Sequence, residues 1–432
     1  MRLGILHCDH AVFQRDLPIR ISGDGRGHAE IRFLGKSYDF YIDEEEWTVE
    51  LDSAQAGGPY EMELNLDGEH IVLEDIYIGD VYLCAGQSNM EIILDKCYCD
   101  KTALKDDPFI RCFELQTTTK DFEWRLASRE NALKMTAIGY YFAAMAREQA
   151  VPVGIISCNR GATSVESWIE RDLLIERGLF ISDEEKHERG LLFYPYNRCG
   201  ELYSMLFSQI RDYSMLACLF YQGEANASHP HSPSYSALLS LLIDSWRARL
   251  RSSELPFFIC ELCNFGWYGN GKINFAEIRE HQRKVVRSMR GKGVYYITTT
   301  DIGEADDIHP RRKKQVAERL WLAVKSEVYG ETCEYCGPFA EYVRVDGDTA
   351  TVHFSHARGM RAEGPVRSIE LKDKDGEPLQ ALSCEIQDGV LTVKASGKIN
   401  ELLLFYRNYP QTNIYNEAGF PATGARYKSS ES

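Results

Sequence analysis

Val81-Tyr82-Leu83-Cys84-Ala85-Gly86-Gln87-Ser88-Asn89-Met90 is the stretch on which the reading of this chain turns. Residues 81–86 run without a charged or amide side chain and end on glycine. A short continuous apolar run closed by a turn signal suits a strand buried on both faces, as in parallel sheets. Four similar runs follow, at Val151–Cys158, Ala217–Gly223, Leu255–Leu262 and Gly293–Thr300. Helical periodicity lies between or after them, over Asn131–Ala150, Tyr235–Leu250, Ile273–Arg290 and Pro310–Val328. Strands alternating with helices predict an α/β fold with a parallel sheet covered on both faces, whose sites lie at the carboxyl ends of the strands. The stretch between Met90 and Asn131 reads as irregular.

On either side of this region the pattern changes to two-residue alternation. Ile31–Ile42, Trp47–Asp52 and Tyr60–Gly79 alternate apolar and polar residues, with Gly57-Gly58-Pro59 as punctuation. That predicts a small antiparallel sandwich. From about Gly337 the alternation returns in DTATVHF, VRSIELKD, GVLTVKAS and ELLLFYR, separated by DGD, KDGEP and QDG turns. The expected organisation is an N-terminal β segment at 1–78, an α/β domain at 79–335 and a C-terminal β segment at 336–432. The last is either a module of its own or a partner of the N-terminal strands. The closing KSSES is expected to fray.

Composition excludes several classes. The 432 residues carry 49 Lys and Arg against 65 Asp and Glu, a formal charge of −16. That balance argues against nucleic acid as a partner. No apolar run approaches the roughly 18 residues of a membrane span, so no membrane partner is expected. The start, MRLGILHCDH, has no apolar core of a secretory signal. The 13 cysteines are an odd number spread along the chain, which suits reduced thiols. Both point to the cytoplasm, although a secreted protein trimmed of its leader would read the same. Oligomeric state is not legible here, and a homo-oligomer stays open.

Ser88 sits on a tight turn after a core strand. Gly86 allows close backbone approach, and the N–H groups beyond it can face an oxyanion. The motif is not G-x-S-x-G, because position 90 is Met. Helix capping is the competing role for this serine. A serine nucleophile needs a base. His309, in Asp306-Asp307-Ile308-His309-Pro310, lies between the last core strand and the last helix. Asp306, three residues earlier, can fold back on the imidazole and fix its tautomer, and Asp307 is the rival. Gly161-Ala162-Thr163 and Gln222-Gly223-Glu224-Ala225-Asn226 end two further core strands and could donate to an oxyanion. Cysteine pairs at 260/263, 333/336 and 97/99 are spaced unlike a zinc site, His229 and His231 sit in a loop, and no metal or other cofactor is expected. The basic run Arg311-Arg312-Lys313-Lys314 reads as a solvated face.

GQSNM, GATSVESW, FYQGEAN and DDIHP, in this order, resemble the sialate O-acetylesterase-type carbohydrate esterases of the SGNH hydrolase group. The likeness extends to Leu6–Ile21, Trp47–Asn65, Tyr235–Arg249, Leu255–Phe265, Phe275–Gln282 and Arg407–Arg426, nearly the whole chain. It implies a three-layer, flavodoxin-like α/β domain, with a β-sandwich built from the two terminal segments. It implies removal of acetyl groups from acetylated mono- or oligosaccharides, such as sialic acid or hemicellulose fragments, without a metal. By motif Ser88 is the nucleophile, His309 the base, and Asp306 or Asp307 the acid. Ser88 and Gly161 N–H groups with Gln222 or Asn226 form the oxyanion hole. Gln87, Trp168 and Glu224 contact substrate, Trp168 as a pocket wall. Phe220 replaces a more usual Trp, Ser204 a more usual Asn, and FYRNYP departs from the closing motif; these bear on substrate choice. The alternatives are a lipase- or thioesterase-like esterase on the same scaffold, and an inactive carbohydrate-binding protein.

Overall fold

The computed structural model describes residues 1–116, 122–188, 195–210, 212–227, 232–266 and 273–429. Met1–Phe220 with Ser240–Phe257 form one compact unit, and Tyr221–Leu239 with Phe258–Ser432 a second. The fold is mixed α/β with several sheets.

The first unit is organised by one strand, Glu69–Gly86, 18 residues long. Its first part pairs antiparallel with Gly57–Leu66 across an Asp67-Gly68 turn, where both residues have positive φ. Such a two-residue turn matches the twist of a hairpin. From Asp80 to Gly86 the same strand pairs parallel with Val153–Asn159. The change of partner is visible in burial, which alternates early and is continuous from Ile76 onward. At the junction the Val81 N–H donates to Gln14 Oε1 (2.8 Å), and the buried Asp80 carboxylate accepts from Arg15 Nε (2.8 Å). The expected boundary between residues 78 and 79 therefore falls inside a strand.

The stretch read as irregular holds two more strands. Asp107–Leu115 pairs parallel with Val153–Asn159, and Trp124–Ala127 pairs antiparallel with Asp107–Leu115. Arg111 hides the first of them from a hydropathy reading. Its side chain is buried, donates to Asp75 Oδ2 (2.9 Å) and lies 4.3 Å above the Tyr77 ring, so a cation occupies a core position. The single helix expected over 131–150 is also corrected. It is two helices, Arg129–Lys134 and Ala137–Ala146, with a short 3-10 turn after the second. The break at Met135-Thr136 has a cause: Thr136 pairs with Ile93, and its hydroxyl donates to the Met90 carbonyl (2.5 Å). The helix is interrupted to hold the segment that follows Ser88.

In the second unit the 336–428 region forms two four-stranded sheets and a two-stranded ribbon. Val352, Leu391 and Val393 of one sheet share a core with Leu371, Leu402 and Leu404 of the other. Helix Phe275–Ser288 ties this region to the rest of its unit. Buried Arg279 donates to the carbonyls of Leu262, Cys263, Arg407 and Asn408. Arg283 and Arg287 both bind the Glu280 carboxylate at 2.7 Å. Among the described residues no helix is long and apolar enough to cross a membrane.

Candidate active site

In the first unit the turn after Glu69–Gly86 presents Ser88. Gly86 has φ +139°, a region closed to most side chains, and lets the strand reverse into the one-turn helix Ser88–Glu91. The Gln87 carbonyl accepts from the N–H groups of Met90 and Glu91, so Gln87 is the helix cap and Ser88 the first helical residue. The capping role weighed for Ser88 thus falls to its neighbour.

Strand register sets what stands beside this serine. Asn159 pairs with Gly86, and the Arg160 N–H donates to the Gly86 carbonyl (3.1 Å). Arg160-Gly161 therefore runs alongside Gln87-Ser88. A Cβ at position 161 would lie 3.3 Å from Ser88 Cβ and 2.8 Å from Glu91 Oε2. A side chain here would crowd Ser88 and push the Glu91 carboxylate aside. The Gly161 N–H donates to Glu91 Oε2 at 2.7 Å, and Arg160 Nη1 donates to Glu91 Oε1 at 3.2 Å. The Arg160 guanidinium in turn lies 4.7 Å over the Tyr196 ring. Glu91 is three residues from Ser88 on one helical turn, the spacing that puts side chains on one face. That spacing was the available signal for Glu91, which motif reading passed over.

The loop then turns inward. Ala162 has φ +58°, Thr163 Oγ1 donates to the Arg160 carbonyl, and Trp168 Nε1 donates to Thr163 Oγ1 (3.1 Å). Trp168 is 1% exposed and packs edge-on against Trp246. Trp168, expected as a pocket wall, has its one polar atom satisfied internally and its rings in the core of this unit. Gln87 and Glu224, also expected at the substrate, are buried as well.

The second unit carries the amides and the histidine. Gln222 and Asn226 are both 0% exposed. The Gln222 Nε2 donates to Asn226 Oδ1 (2.8 Å), and Gln222 Oε1 accepts from the Tyr235 hydroxyl (2.8 Å). The Gln222 main-chain carbonyl shares that single Tyr235 hydrogen (3.0 Å) and accepts from Gln282 Nε2 (3.2 Å). The bond from Gln222 Nε2 to its oxygen fixes the plane of the Asn226 amide. The two amides expected as equivalents are thus a holder and a held group. Tyr235 and Gln282 complete the network and were not singled out by sequence.

Asp307 and His309 are brought together. Asp307 Oδ1 accepts from the His309 backbone N–H (2.8 Å), an Asx-type turn, whereas Asp306 is exposed. Burial pulls the His309 imidazole below its ordinary pKa, the nearby Lys313 ammonium pulls it further, and Asp307 opposes both. Lys313 corrects the reading of its basic run as a solvated face. It is 1% exposed and its ammonium lies 5.9 Å from the Tyr221 ring centre, while Arg311 and Lys314 are exposed. The signal was helical: Lys313, Ala317, Leu320 and Val324 form one buried stripe of helix Lys313–Glu327.

The cysteine pairs are thiols without disulfides. Cys263 accepts a hydrogen bond from the Tyr221 hydroxyl (3.0 Å), and burial raises its pKa. Among the described residues no group of three His, Cys, Asp or Glu side chains could hold a metal ion. His229 and His231 lie outside the described residues.

A serine on a glycine elbow and a histidine whose charged form is disfavoured by burial are the parts of acyl-transfer chemistry. Residues 78–325 match the family of carbohydrate esterases described as sialic acid-specific acetylesterases. This chain belongs to that family. It is a carboxylic-ester hydrolase. It is similar to the sialate O-acetylesterase of Mus musculus, 22% identical over 378 residues that cover 73% of this chain and 70% of that protein. The sialate O-acetylesterase of Homo sapiens is 23% identical over 380 residues, covering 78% and 69%. A carbohydrate acetylesterase from Xanthomonas citri of known crystal structure is 27% identical, with a TM-score of 0.86 over 99% of both chains.

Proposed function

We propose that this protein removes acetyl groups from sugar hydroxyls by two-step acyl transfer, with Ser88 as nucleophile, His309 as base and Asp307 as its acid partner. The observation that carries the reading is the Gly86 elbow, which places Ser88 at the opening of a helix beside Gly161 within a family-matched segment. His309 takes the Ser88 proton as the oxygen attacks the acetyl carbonyl, and Asp307 steadies the imidazolium that forms. The Asn226 NH₂ and the Ser88 N–H donate to the oxyanion, each donor of this kind contributing about 3 kcal/mol. The tetrahedral species collapses, and His309 passes the proton to the departing sugar oxygen. Water deprotonated by His309 then attacks the acetyl-serine, the bond to Ser88 Oγ breaks as His309 returns the proton to that oxygen, and acetate leaves.

Asp307 is preferred to Asp306 because it touches the His309 backbone and opposes the downward pull on the imidazole. The same reading assigns the parallel strands to a three-layer SGNH-type domain. The test is acetate release from acetylated sialic acid, xylo-oligosaccharides and manno-oligosaccharides, with Ser88→Ala beside the parent protein. Release that disappears in the variant supports the serine reading and ranks the sugars. A folded parent that releases nothing from any sugar overturns it, in favour of another ester or of a binding protein.

A further inference from the structure

Gly161 is needed twice. The resemblance implies an oxyanion role for its N–H, yet that N–H already donates to Glu91 Oε2 at 2.7 Å. One N–H carries one hydrogen, and a bond to a carboxylate at this distance is charge-assisted and strong. A carboxylate at this position would also repel the negative oxygen developing on the Ser88 adduct, since like charges disfavour each other at close range. Arg160 and Tyr196 hold Glu91 where it is. Gly161 can therefore serve the reaction only when Glu91 lets go, and Glu91 lets go at least cost when another donor replaces the one it loses.

We infer that Glu91 is a specificity-determining residue, which withholds the Gly161 N–H until a free hydroxyl next to the acetyl ester binds its carboxylate. The inference rests on the Ser88 reading above. The preferred substrate is then a partly acetylated sugar, whose ring carries a hydroxyl alongside the ester. Esters with no hydroxyl, or sugars with every hydroxyl blocked, leave Glu91 on Gly161 and turn over slowly. Glu91 is half-exposed, so a bound sugar can reach it.

The experiment compares 4-nitrophenyl acetate, which has no hydroxyl, with a mono-O-acetylated methyl glycoside, in the parent, Glu91→Ala and Glu91→Gln. With Glu91→Ala, kcat on 4-nitrophenyl acetate should rise about tenfold, while kcat/KM on the glycoside should fall about tenfold, chiefly through KM. Glu91→Gln, which keeps an acceptor without the charge, should lie between. Opposite movement on the two substrates is not something a loss of structure produces. If both substrates fall together or neither changes, Glu91 has no such role. If Glu91→Ala does not fold, as judged by its thermal transition, the same comparison on Glu91→Gln decides. Ser88→Ala separates the two levels. Turnover that survives in it removes the serine reading itself; turnover lost in it, with Glu91 variants moving both substrates alike, removes only the inference about Glu91.

Discussion

The serine-bearing region and the histidine-bearing region are built by different means. Around Ser88 the arrangement is a matter of backbone: a left-handed Gly86, a parallel register that aligns Asn159 with Gly86, and a Gly161 whose missing side chain leaves room for Ser88 and Glu91. Around Asn226 it is a matter of side chains held in a buried network, with Gln222 at its centre bonded to Asn226, Tyr235 and Gln282. Backbone geometry survives most side-chain changes away from its glycines. A buried network does not, because each member orients another and an unpaired buried amide is costly.

The largest expected effect sets the two aspartates against each other. Asp307→Asn should lower kcat by about a thousandfold or more, as loss of a triad acid does, while Asp306→Asn should stay within about twofold. Steady-state kinetics on an acetylated sugar reads both, and equal losses would remove the structural distinction between them. Next, Asn226→Ala should cost about 100- to 1000-fold in kcat with little change in KM, the signature of a donor used mainly in the transition state. Gln222→Ala should cost less, since it acts by holding Asn226. A Gln222 variant more damaged than the Asn226 variant would mean that the holder and the held group have been assigned in reverse.

The smallest effect is a shift of pH dependence. His309 must be neutral to accept a proton, and its lowered pKa puts the acid limb of kcat/KM below the ordinary histidine value of 6.5. Lys313→Met removes a cation that opposes the imidazolium. The His309 pKa should then rise and the acid limb move to higher pH. A limb that stays in place would show that Lys313 does not act on the imidazole in solution.

What could be read from sequence follows the same division. The elbow at Ser88 was legible because an apolar run, a glycine and a polar turn are consecutive residues. The strand ends at Gly161 and Gln222 were legible for the same reason. That the Gln222 main-chain carbonyl accepts from Gln282, sixty positions away, is something no local pattern reports. Lys313 was misread because a run of four basic letters outweighed its place in a helical stripe, and Arg111 concealed a strand because a buried cation resembles a loop residue in any hydropathy window. The burial of Trp168 against Trp246 is a tertiary fact that its motif does not report.

The 18-residue strand Glu69–Gly86 has a consequence for protein engineering. Its first ten residues are the docking edge of the N-terminal hairpins, and its last residue sets the direction of the nucleophile. Trimming the chain before residue 69 would strip that edge of Val12–Gln14 and Gly57–Leu66, leaving unpaired backbone groups open to another chain's strands. The N-terminal β segment is thus a splint and not a cassette: minimal versions of this enzyme, fusions at its front end and domain exchanges with relatives all have to carry it along.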